Sequence, residues 1–183
     1  DVIGDESVFG VDRMEVVFDS GFMNVEIFTP FVEGAPGTYG FKYGDLFIST
    51  DGWNPYGSVD EYYADDYYVN GETWEYVFDT SEEKLFQLPD YSNDDISISD
   101  YIDIAASNSS YIMRDGQEIL YRGNDFSIDG SSSFDSRQEG KYLAYSIQLS
   151  VLGSLPHGGA IGLKWGATCA NDTIEGSVPA PAP

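Results

Sequence analysis

MEVVF at residues 14–18, NVEIF at 24–28 and YLAYSIQLSVL at 142–152 decide the fold class. These runs are β-branched and aromatic, and they are too short and too evenly punctuated for amphipathic helices. YGFKYGDLFIS at 39–49, WEYVF at 74–78, EILY at 118–121 and AIGLKW at 160–165 continue the pattern. Turn dipeptides separate them: Asp51-Gly52, Asn70-Gly71, Asp115-Gly116, Asp129-Gly130 and Gly158-Gly159. Only residues 81–85 and 150–155 read as single helical turns. About ten strands at short spacing predict an all-β chain, a single antiparallel β-sandwich of jelly-roll or immunoglobulin-like type.

The 183 residues fit one domain with a sizeable core. The expected division is a β-sandwich domain over 1–174 and an extended Pro/Ala tail over 175–183, because proline lacks a backbone donor and cannot continue a helix or a central strand. The formal net charge of −24 disfavours nucleic acid and anionic membranes as partners. No run of about 18 apolar residues is present, so the chain is read as having no membrane span. The single cysteine, Cys169, rules out an internal disulfide framework and reads as a buried thiol or an intersubunit partner.

Sixteen acids and one base, Lys84, fall between residues 43 and 113. Two readings stay open for that stretch: a solvated face, and a site for divalent cations, which take six to eight oxygens. Residues 53–70 (WNPYGSVDEYYADDYYVN) form a long acidic and aromatic loop. Asp60, Glu61, Asp65 and Asp66 offer it cation ligands, and Tyr56, Tyr62, Tyr63, Tyr67 and Tyr68 a surface for a partner. Trp53 follows a turn and is the tryptophan expected at the surface; Trp74 and Trp165 lie in strand runs and are expected in the core.

The last nineteen residues, WGATCANDTIEGSVPAPAP at 165–183, resemble the cargo proteins of the PEP-CTERM/exosortase system of Gram-negative bacteria. Trp165, Cys169, Asn171, Asp172, Ile174 and Gly176 fit the segment that leads into a Val-Pro-x-Pro sorting motif, here Val178 to Pro181. Ala180 stands where that family has Glu, and the hydrophobic helix that follows the motif is absent, as expected of a processed chain. DVIGD at 1–5 and GDLFISTDGW at 44–53 resemble recurring segments of the same group. Residues 142–172 are similar to the last strands of carbohydrate-binding and DOMON-like β-sandwiches. The resemblance implies a secreted protein, at the cell surface or in the extracellular matrix of a Gram-negative bacterium, and not an enzyme.

No catalytic constellation stands out. His157, the single histidine, lies in a Pro-His-Gly-Gly turn with no carboxylate and nucleophile set beside it. Calcium is the expected ion. Asp1 and Asp5 flank Gly4 and would face Asn171 and Asp172 if a cation tied the first strand to the last, as in jelly-roll modules; the same acids also read as ordinary surface residues. Asp45 and Asp51 are further candidate ligands. None of them fits the EF-hand spacing. The leading functional expectation is a calcium-stabilised structural subunit of a filament, sheath or biofilm matrix. It would assemble with copies of itself through terminal strands, with residues 2–11 as the donor. The alternative is a calcium-dependent module that binds exopolysaccharide.

Overall fold

Arg13–Asp19 (β1) and Phe22–Phe28 (β2) form a hairpin whose side chains alternate between a buried and a solvated face. Met23, Val25 and Ile27 point inward and are fully buried, whereas Glu15 and Glu26 pair on the outer face. The two-residue connection Ser20-Gly21 carries φ of 51° and 84°. That conformation matches the twist of the strands, and glycine adopts it without a Cβ penalty. The computed structural model describes residues 2, 4–33, 41–51, 74–88, 132–153, 155, 159–169 and 171–182. The stretch at 118–121, read as a strand, lies outside the described residues.

Seven further strands follow: Leu46–Ser49 (β3), Tyr76–Asp79 (β4), Lys84–Gln87 (β5), Ser133–Arg137 (β6), Tyr142–Gln148 (β7), Ala160–Gly166 (β8) and Thr173–Pro179 (β9). They build two antiparallel sheets, a four-stranded one in the order β1-β2-β7-β6 and a five-stranded one in the order β5-β4-β3-β8-β9. The fold is thus an all-β sandwich. Met23, Val25, Ile27, Leu143, Tyr145 and Ile147 of the first sheet meet Leu46, Ile48, Phe78, Ile161, Leu163 and Trp165 of the second in one core. The two sheets differ on their outer faces. The four-stranded sheet is solvated there, but β3 and β4 are buried on both faces, with Phe47, Val77 and Phe86 shielded on the outer side. That double burial explains why those runs read as continuously apolar rather than alternating.

Several local expectations change. The candidate helical turn at 81–85 is the β4–β5 hairpin: Asp79 accepts hydrogen bonds from the backbone of Ser81 and Glu82, and Glu83 takes φ of 53°. The turn expected at 150–155 is a 3-10 turn at Leu149–Val151. Of the run at 39–49, residues 41–49 are described, and among them Leu46–Ser49 is strand, with an isolated bridge from Tyr43 to Ala167. Residues 2–11, expected as an extended donor strand, contain a helical turn, Glu6–Phe9 (α1), because the Asp5 carboxylate caps it by accepting from the Ser7 backbone N–H. At the other end, β9 crosses the 174/175 boundary drawn between domain and tail. It pairs with β8 along its whole length and sits at the sheet edge, where a terminal Pro179 costs no ladder bond.

A polar contact crosses the core. Tyr145 on β7 reaches the far sheet, its hydroxyl 3.1 Å from Thr80 Oγ1 in the β4–β5 turn. Thr80 donates that hydroxyl proton to the Gly44 carbonyl, so Tyr145 is the donor in the pair. Trp165 Nε1 donates to the same carbonyl, and Thr80 N–H donates to Asp45. Burial pushes the Tyr145 phenol far above the usual tyrosine range. The native state therefore holds a proton that the unfolded chain releases near about pH 10. Stability is expected to hold below that value and to fall as pH rises past it. Urea midpoints measured from about pH 8 to about pH 11 will show this fall, and Tyr145→Phe will make it shallower while costing about 1 kcal/mol at the lower pH.

Candidate functional site

Four residues at one end of the four-stranded sheet form a row across all its strands. Arg13 pairs in register with Phe28, Phe28 with Tyr142, and Tyr142 with Arg137. Even positions of β1 and β7 face the core in one strand and solvent in the other, so this row lies wholly on the solvated face. The Arg13 guanidinium carbon stands 3.5 Å above the centre of the Phe28 ring, a cation–π arrangement. The Phe28 and Tyr142 rings lie 5.2 Å apart with a 35° tilt. Each arginine also engages an acid two residues away on its own strand: Arg13 donates from Nε to Glu15, and Arg137 pairs through Nε with Asp135.

Beside Arg13 and Phe28 the sheet ends in a cavity of about 570 Å³. Glu6 and Ser7 of α1 form one wall, Gly10 to Arg13 a second, and Phe28 to Pro30 a third. Gly140 and Lys141 of the β6–β7 turn, together with Asp172, close it. Two hydrogen bonds hold the N-terminal segment over this space. Thr29 Oγ1 donates to the Gly10 carbonyl at 2.8 Å, and the Val11 N–H donates to Asp172 at 2.7 Å. Phe9 anchors the segment by packing against Phe31 and Phe41 at centroid distances of 5.8 and 6.0 Å. The cavity thus offers an aromatic edge, hydroxyls and charges of both signs: Glu6, Asp12 and Asp172 against Arg13 and Lys141. The lining is thus mixed, with Val2, Val11, Phe28 and Pro30 as its apolar part and charged or hydroxyl-bearing side chains around them.

The expected cation ligands fall differently. Asn171 and Asp172 do lie against the N-terminal segment: a Cβ on Gly4 would be 3.5 Å from the Asn171 amide nitrogen. The tie observed is a direct hydrogen bond to the Val11 backbone, and the Asp5 carboxylate is occupied by Ser7. Asp45 is buried and accepts from Thr80, and Asp51 accepts from Ser49 beyond the far end of β3. Among the described residues no three His, Cys, Asp or Glu side chains converge as a metal site. Asp1, Asp60, Glu61, Asp65 and Asp66 lie outside the described residues, as do Trp53, Tyr56, Tyr62, Tyr63, Tyr67, Tyr68 and His157. Trp74, Trp165 and Cys169 are buried.

Sequence reading passed over Arg13, Phe28, Tyr142, Arg137 and Lys141. One signal was available. Arg13 and Arg137 fall at strand ends and Lys141 in the adjoining turn, three of the eight bases in a strongly acidic chain, but only the cross-strand register shows that they share an edge.

Comparison with protein-family models, with curated proteins and with solved structures gives no match. The site therefore rests on its own geometry. Asp172→Ala removes the acceptor that ties the N-terminal segment to the β8–β9 turn. It is expected to cost about 2 kcal/mol, since the lost bond is to a charged group. Hydrogen exchange will show faster exchange at Val11 with the core strands unchanged.

Proposed function

We propose that this chain is an extracellular, non-enzymatic β-sandwich that works by binding a glycan at the cavity beside Arg13 and Phe28. The observation that carries the reading is the join between that cavity and a half-buried aromatic pair, Phe28 and Tyr142, on a solvated sheet face. Pyranose rings present an apolar face bordered by hydroxyls. The Tyr142 ring takes the first, Phe28 being already covered by Arg13, and arginine–carboxylate pairs take the second, offering donors and acceptors together.

Two motives for assembly through terminal strands are met inside the single chain. Residues 6–9 are a capped helical turn, Val11 is tied to Asp172, and 173–179 pair with β8. Secretion is supported by the resemblance of 165–183 to a sorting segment. Calcium would then belong to acids other than Asp172, whose carboxylate already accepts from the Val11 and Thr173 backbone N–H groups.

Affinity electrophoresis in gels that contain soluble polysaccharides tests the reading. Retardation by at least one polymer is expected, and Phe28→Ala should weaken it by about tenfold while lowering the thermal midpoint by only about 5 °C, so that the variant is still folded in the gel. No retardation by any polymer, neutral or charged, would refute it.

A further inference from the structure

The geometry points to a neutral polysaccharide as the ligand, bound along the whole Arg13–Phe28–Tyr142–Arg137 row and not in the cavity alone; this rests on the glycan-binding reading. The row crosses three inter-strand spacings, about 14 Å, which is longer than one sugar ring. At its centre the two rings are half-buried and tilted 35° to each other. At each end an arginine is half-exposed and held by a carboxylate of its own strand. Each of these bonds uses Nε, and the Arg13 guanidinium also lies over the Phe28 ring. A cation paired in this way presents a donor edge beside an acceptor edge, which suits adjacent hydroxyl groups.

Charge decides the class of polymer. The three bases Arg13, Arg137 and Lys141 invite an anionic ligand when viewed alone. The acids around them outnumber them: Glu15, Glu26 and Asp135 form the next row of the sheet, and Glu6, Asp12 and Asp172 line or close the cavity. The chain as a whole carries −24. A uronate or sulfated polymer would approach against that field and would need to displace internal ion pairs. A polyamine-like sugar polymer would meet arginine at both ends of the row. A neutral chain meets neither penalty.

Gly140 sets the platform. A Cβ there would lie 2.6 Å from Tyr142 Cδ1, so any side chain pushes the ring off its seat without removing an atom of it. The experiment compares wild type, Gly140→Ala, Arg137→Gln and Tyr142→Ala on a neutral glucan, a polyuronate and a deacetylated hexosamine polymer. Thermal midpoints are read in parallel.

The expected result is binding to the neutral glucan that changes less than twofold between about 0.05 and 0.5 M salt. Each variant should weaken it by about five- to tenfold, with the midpoint unchanged in Arg137→Gln and lower by no more than about 5 °C in Gly140→Ala and Tyr142→Ala, so that all stay folded in the assay. Tighter binding to either charged polymer overturns the inference while leaving glycan binding intact. So does neutral binding that is lost in Phe28→Ala but unchanged in the three row variants, which would confine the ligand to the cavity. A concentration-dependent dimer that buries Tyr142 would give the face to a second copy and also overturn it. Binding to no polymer at all removes the functional reading itself.

Discussion

One phenol joins the two sheets. Tyr145 stands on the central strand of the four-stranded sheet, and its hydroxyl meets Thr80 in a turn of the other. A buried hydroxyl without a partner costs about 1–3 kcal/mol, so the two sheets stack in a register that keeps this contact. The same ring packs edge-on to Phe78 and tilts against Phe134, at centroid distances of 5.5 and 5.0 Å. From Phe134 the ring contacts continue through Tyr43 and Phe31 to Phe9 on α1. The core thus has a continuous aromatic line from the β4–β5 turn to the N-terminal segment. Apolar packing along it is non-directional, and the Tyr145–Thr80 bond supplies direction.

The N-terminal segment depends on that line and shapes the site in turn. Phe9 occupies its end, and the bonds from Thr29 to Gly10 and from Val11 to Asp172 fix the chain above the sheet edge. The cavity is the space left between this strap and the start of β1. Its walls come from five separate stretches of sequence, so its shape is a property of the packed core.

The solvated sheet face shows how strand register makes a surface from scattered residues. Arg13 and Arg137 are 124 positions apart in sequence but belong to one row because β1, β2, β7 and β6 pair without a bulge between their partners. A slip of one residue in any pair would turn Phe28 or Tyr142 into the core and expose Ile27 or Leu143. The burial of those two residues therefore holds the outer row in place.

Sequence alone determined the all-β class. Alternation at 14–18, 24–28 and 142–148 states the strand period directly, and prolines at 179, 181 and 183 kept the last strand off the sheet centre. It also brought Asn171 and Asp172 to the N-terminal residues, where the contact seen is the Val11 N–H donating to Asp172. β6 escaped notice because SFDSR carries one apolar residue, and its strand state comes from pairing with β7. Residues 2–11 were misjudged because a single Asp5 cap and the packing of Phe9 outweigh weak local alternation. The row of Arg13, Phe28, Tyr142 and Arg137 was decided only by tertiary structure. Local preference reads residues within a few positions of each other, whereas cross-strand register is set by which buried faces pack together, and that is known only once the sheets close on their core.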